Sequence, residues 1–121
     1  MSIPVLICDD SNMARKQVAR SLPPDWDVEV SFACNGIEGL EAIRAGKGEM
    51  LFLDLTMPEL DGYGVLAGIK SEGLKSMIIV ISADIQPEAK ARVIKAGALD
   101  FINKPINRDK LAEVLNTYGL L

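Results

Sequence analysis

Residues 50–62, MLFLDLTMPELDG, carry the pattern from which the architecture follows. Met50 to Leu53 is an unbroken apolar run, short and bounded by polar residues, as expected of a parallel strand covered on both faces. It ends abruptly on a carboxylate, Asp54. Pro58 and the Asp61-Gly62 pair then mark a turn, and Val65, Leu66 and Ile69 beyond it recur at helical spacing. A central strand, a polar strand end, a turn and an amphipathic helix together make one β/α unit.

The same unit recurs on either side. Val5 to Cys8 is a wholly apolar strand that closes on Asp9-Asp10. Ser11 or Asn12 then caps a helix with Ala14, Val18 and Leu22 on one face and Pro23-Pro24 as its stop. In the second strand Val28, Val30 and Phe32 alternate with Asp27, Glu29 and Ser31, so one face is apolar and the strand belongs at a sheet edge. Ile37, Leu40 and Ile43 form the next helical stripe, ended by Gly46 and Gly48. Met77 to Ile81 is a fourth strand delivering Ser82, and Pro87 opens a helix that reaches Ala96 and stops at Gly97. Phe101 and Ile102 make a fifth strand ending at Asn103-Lys104-Pro105. Leu111, Val114, Leu115 and Tyr118 give the last helix its stripe. Strands alternating with helices in this way indicate an α/β fold.

Composition narrows the function. A chain of 121 residues is one domain's worth and can bury a real core. The formal charge of −4, with the 13 Lys and Arg scattered, argues against direct nucleic-acid binding. No apolar run approaches the length that spans a bilayer, and no signal segment opens the chain, so no membrane association and a cytoplasmic location are the expectation. Cys8 and Cys34 have neither the number nor the spacing of a disulfide framework or zinc site, and both are expected to be buried small hydrophobes. Histidine is absent, which removes the usual nitrogen ligand and any phosphohistidine of the chain's own.

Parallel strands point one way, so the residues that close them gather along one sheet edge. Those residues are Asp9 and Asp10, Asp54, Ser82 and Lys104. Taken singly, an acidic pair is more often loop or capping chemistry, Ser82 a turn residue and Lys104 a surface side chain. Their joint placement on four of five strand ends overturns those readings. Three carboxylates in one crevice repel, which raises at least one pKa or calls for a cation, and oxygen donors with room for substrate suit Mg2+ (or Mn2+) better than zinc. An ionised Asp is a competent nucleophile toward phosphorus. Lys104 and Ser82 supply the charge and the hydroxyl that phosphoryl transfer needs.

The set Asp9-Asp10, Asp54, Met57-Pro58, Asp61-Gly62, Ser82-Ala83, Gly97-Ala98, Asp100-Phe101 and Lys104-Pro105 resembles the receiver domains of response regulators, CheY-like, over the whole chain. The resemblance implies a flavodoxin-like five-stranded parallel sheet of order 2-1-3-4-5 with helices on both faces, in a single receiver domain spanning 1–121. It further implies that Asp54 is the phospho-acceptor in two-component or phosphorelay signalling, chemotaxis included. Asp10, Asp54 and the main-chain carbonyl of Thr56 would bind Mg2+, with Asp9 helping through water. Lys104 would contact the phosphoryl group, while Ser82 and Phe101 would occupy the switch positions. The bond before Pro105 is usually cis in the family.

A histidine kinase or phosphotransfer protein is the implied donor. A downstream protein or fused output domain would read the fourth helix, fifth strand and fifth helix, and dimerisation on phosphorylation is a further expectation. No output module follows the fifth helix, so a free-standing regulator and the excised receiver of a longer one both remain open. The chain would be no enzyme beyond its own phosphorylation and dephosphorylation. An aspartyl-phosphate phosphatase is a remote alternative, because neither Asp10 nor Asp54 is followed two residues later by the second Asp that such enzymes carry. A flavodoxin-like cofactor carrier fails because Asp9-Asp10 would repel a bound phosphate.

Overall fold

A computed structural model of the chain describes residues 2–84 and 86–121. Five strands, β1 (Ile3–Cys8), β2 (Val28–Ala33), β3 (Met50–Leu53), β4 (Met77–Ser82) and β5 (Asp100–Asn103), alternate with five helices. These are α1 (Asn12–Ser21), α2 (Gly36–Arg44), α3 (Gly62–Glu72), α4 (Pro87–Lys95) and α5 (Arg108–Thr117). The strands form one parallel sheet of order β2-β1-β3-β4-β5, the expected flavodoxin-like arrangement.

Each central strand feeds two cores through its period-two alternation. Leu6, Cys8, Leu51, Leu53, Ile78 and Val80 pack against Leu40, Ile43, Val65, Leu66, Ile69, Ala89 and Val93 of α2, α3 and α4. Val5, Ile7, Met50, Phe52, Ile79, Ile81 and Ile102 pack against Val18, Leu22, Leu111 and Leu115 on the side of α1 and α5. All four residues of β3 are essentially inaccessible to water. Burying each such side chain contributes roughly 1.5–3 kcal/mol, which is why β3 takes the central position.

Capping sets where the helices begin. Ser11, rather than Asn12, is the N-cap of α1 and accepts from the Ala14 N–H. Asn35, Asp61 and Asn107 cap α2, α3 and α5 in the same way, each satisfying an otherwise orphaned amide. Pro87 opens α4 as expected. The Lys104–Pro105 bond is cis.

Three apolar side chains and one cysteine do not lie where hydropathy puts them. Phe32 continues the apolar face of β2 but is 52% exposed, because α1 packs over β1 and against α5 and leaves the far end of the edge strand uncovered. Ile37 is exposed as well. The buried face of α2 is Gly36, Gly39, Leu40 and Ile43, a true i, i+3, i+4, i+7 stripe in which two members have no side chain to reveal it. Those glycines are needed: a Cβ on Gly36 would lie 2.2 Å from the Leu60 carbonyl oxygen, and one on Gly39 would lie 2.9 Å from Cys8 Sγ. Tyr118 lies past the end of α5 and is partly exposed, its hydroxyl donating to the Leu99 carbonyl at 3.0 Å. Cys34 is exposed, not buried, and its thiol lies 3.2 Å from Glu38 Oε1; Cys8 is buried as expected.

Candidate phosphorylation and metal site

The β-ladders extend past the strands and fix the site's backbone. The Asp9 N–H donates to the Ala33 carbonyl at 3.1 Å, the Asp54 N–H to the Cys8 carbonyl at 2.9 Å, and the Lys104 N–H to the Ser82 carbonyl at 2.9 Å. Register thereby sets Asp9, Asp54, Ser82 and Lys104 on one edge. Among the described residues, the buried polar or charged ones are Asp9, Asp54, Ser82 and Ser21, so three of these four belong to the strand-end set. Ser21 simply donates back to the Gln17 carbonyl within α1.

The side chains converge. Carboxylate oxygens of Asp9, Asp10 and Asp54 all lie within 4.8 Å of one another. Lys104 Nζ donates to Asp9 Oδ2 at 2.9 Å and lies 3.6 Å from Asp54 Oδ1. Asp9 Oδ1 accepts from the Ser11 N–H at 2.9 Å, so both oxygens of Asp9 have protein donors. Asp10 is exposed and, among the described residues, no protein donor reaches its carboxylate.

The expected repulsion is visible. Burial first, and the neighbouring Asp9 charge second, push Asp54 up to about 6 from an ordinary 3.8, with Lys104 pulling the other way. Partial burial would lower Lys104, but its hydrogen bond to Asp9 and the charges of Asp54 and Asp9 outweigh it and hold the ammonium above its usual value. Cys8 is pushed up to about 12, chiefly by burial and then by Asp9 and Asp54, and is therefore inert as a nucleophile at neutral pH. A donor set of oxygens alone, carrying more negative charge than one ammonium balances, fits a hard dication.

The surroundings explain the Asp61-Gly62 pair. Asp61 caps α3, and the Gly62 N–H donates to the Leu55 carbonyl at 2.9 Å. A Cβ on Gly62 would sit 2.5 Å from the Asp54 carbonyl oxygen, so α3 can start this close to Asp54 only with glycine there. Thr56 is exposed beside it, and Phe101 is half-buried against the α2–α4 side of the core. Two contacts had no sequence signal strong enough to single them out. Arg15 donates from its guanidinium to the Asp9 carbonyl at 2.6 Å, and Asn103 Nδ2 donates to the Asp84 carbonyl at 3.0 Å.

Comparison with known proteins agrees with this geometry. The family described as the response regulator receiver domain matches residues 5–116. The chemotaxis protein CheY of Bacillus subtilis is 34% identical over 112 residues, covering 93% of both chains. A response regulatory protein of Shewanella oneidensis is 33% identical over 114 residues, and this chain spans 93% of itself but only 47% of that relative. Among solved structures, the CheX-CheY-BeF3-Mg+2 complex from Borrelia burgdorferi superposes with a TM-score of 0.84 at 28% identity, covering 94% of this chain and 87% of that one. No described helix is long and apolar enough to cross a membrane. With the strand order, the acidic strand-end pocket and these likenesses in agreement, the chain belongs to the response regulator receiver domain family, the CheY-like receivers of two-component signalling.

Proposed function

We propose that Asp54 is the phospho-acceptor of this receiver and that residues 1–121 work as one receiver unit. The observation that carries the reading is the meeting of Asp54 with two other carboxylates within 4.8 Å and with the Lys104 ammonium at 3.6 Å. An ionised Asp54 oxygen attacks the phosphorus of a phosphohistidine on a partner histidine kinase or phosphotransfer protein. The P–N bond breaks, and the departing imidazole takes up a proton. Lys104 contacts the transferred group as a fixed positive charge, and the Ser82 hydroxyl donates to one of its oxygens.

Asp10, Asp54 and the Thr56 carbonyl would hold Mg2+ (or Mn2+), which supplies charge neutralisation of the phosphoryl oxygens when bound. Asp9 would act through water. Its engagement by the Ser11 N–H and Lys104, against the unengaged carboxylate of Asp10, supports that division. The Borrelia relative, solved with BeF3 and Mg2+, is consistent with the same use of this pocket. Chemistry in the chain is confined to its own phosphorylation and dephosphorylation.

Phosphorylation then biases two arrangements of Ser82 and Phe101, and the surface formed by α4, β5 and α5 is read by a downstream protein, a fused output domain or a second copy. A coupling of about 1–3 kcal/mol suffices. Incubation with a small phosphodonor and Mg2+, followed by assay of acid-labile phosphate, tests the acceptor. Wild type gains the label and Asp54→Asn does not. Undiminished labelling of Asp54→Asn would refute the assignment.

A further inference from the structure

Ser82 and the residue that follows it by two are fastened in an unusual way. The Asp84 N–H donates to Ser82 Oγ at 3.2 Å, Asp84 Oδ1 accepts from the Gln86 N–H at 2.9 Å, and the Asp84 carbonyl accepts from Asn103 Nδ2 at 3.0 Å. The N–H, the carbonyl and one carboxylate oxygen of Asp84 are therefore engaged, and one engagement crosses from β5 to the chain leaving β4. The β4–β5 register puts Asn103 directly opposite Ser82, and the Lys104 N–H bonds the Ser82 carbonyl beside it. Ser82 is buried, whereas Asn103 is exposed and adds nothing to either core.

The direction of the Ser82 hydroxyl thus depends on where the Asp84 N–H lies. That amide belongs to the residue whose carbonyl Asn103 holds. Resting on the reading of Ser82 as the switch hydroxyl, we propose that Asn103 is a positioning residue, a latch whose amide holds Asp84, and through it Ser82, in the unphosphorylated arrangement. For the hydroxyl to turn from the Asp84 N–H toward a phosphoryl group on Asp54, Asp84 shifts and the Asn103 bond is lost. An interaction made in only one of two arrangements moves the equilibrium between them, and ligand affinity scales with the fraction of molecules in the competent one.

Beryllium fluoride in excess magnesium chloride, a stable stand-in for the phosphoryl group, tests the latch by amide chemical shifts. Asn103→Ala removes the donor, and Asn103→Asp replaces it with an acceptor that the Asp84 carbonyl repels. Both variants bind beryllium fluoride more tightly than wild type by roughly three- to tenfold, the worth of one exposed hydrogen bond. The gain disappears in a Ser82→Ala background, where no hydroxyl remains to be released; a merely structural effect of Asn103 persists there. Unchanged or weakened affinity in both Asn103 variants, or a gain that survives Ser82→Ala, overturns the latch. The acceptor reading is judged apart from it, by Asp54→Asn: if that variant binds beryllium fluoride as wild type does, the reading of the site fails, whatever Asn103 does.

Discussion

Replacing Asp54 by Asn in the metal-free protein stabilises the fold, and the gain depends on pH in a defined direction. Asp54 in the folded chain titrates at about 6 against 3.8 in the unfolded chain, so between those values the folded state binds the extra proton. Stability is therefore greatest below the unfolded value, falls as pH rises through the window from about 4 to 6, and carries the full cost of the charge above it. The difference, 6 minus 3.8, is roughly two pKa units, which at 1.36 kcal/mol each bounds the cost near 3 kcal/mol. Asp10 is exposed and Lys104 is about a quarter exposed, so water reaches the pocket, and solvent screening brings the expected gain to about 1–2 kcal/mol.

Urea denaturation in EDTA, followed by the fluorescence of the partly buried Trp26, measures this gain directly. At pH 8 the midpoint of Asp54→Asn lies above that of wild type, and the two converge as pH approaches 4. With Asp54 as the proposed ligand, saturating Mg2+ raises wild type by mass action and closes the gap, because the variant would lack that ligand. A variant equal to or weaker than wild type at pH 8 without metal, or a gap that does not narrow in acid, would refute the argument that Asp54 is strained by burial and by Asp9.

Mg2+ affinity falls about tenfold per pH unit below about 6, since the Asp54 proton must leave before the metal binds; calorimetry near pH 5 in buffers of different ionisation enthalpy should count about one proton released. Lys104→Met in EDTA leaves Asp9 and Asp54 buried without their ammonium and lowers stability by about 2 kcal/mol, most of which Mg2+ restores; a denaturation midpoint equal to wild type would contradict the pairing. Gly62→Ala forces a Cβ onto the Asp54 carbonyl and Leu55, costing about 2–3 kcal/mol and slowing labelling by a phosphodonor, whereas Gly73→Ala, whose φ of 65° costs about 1 kcal/mol but whose Cβ meets nothing within 4 Å, lowers stability and leaves labelling unchanged. Thermal melts with a labelling time course separate the two.

What could be read from the chain alone, and what could not, divides along a physical line. The strand-end positions of Asp9, Asp54 and Ser82 were legible because each directly follows an apolar run, and that of Lys104 because it follows the Phe101-Ile102 pair after one intervening residue and comes just before Pro105. In a parallel sheet that one-dimensional fact is enough to set neighbours side by side. Hydropathy failed where burial is decided by the absence of a side chain or by sheet geometry. Gly36 and Gly39 carry the buried face of α2, so Ile37 was assigned to a stripe it does not join, and Phe32 sits at the uncovered end of the edge strand. Cys34 is two residues from the start of α2, where its thiol meets Glu38 instead of a core.

The pairings within the site lie beyond any pattern in the chain. Lys104 is 95 residues from Asp9 and Asn103 is 19 from Asp84; both contacts depend on side-chain direction across strands, which periodicity does not encode. Yet the most telling feature of the site is a violation that the sequence does announce. Asp9 and Asp54 extend two fully apolar strands by one residue, so the fold buries both carboxylates although burial of each is costly. A chain selected only for stability would place a neutral polar residue such as Asn or Ser there. Retaining ionisable groups at the two adjacent strand ends, and opposing them with one lysine on a third, leaves a pocket with more negative charge than its lysine balances, and on the function proposed above that imbalance would link folding to metal binding and phosphoryl transfer.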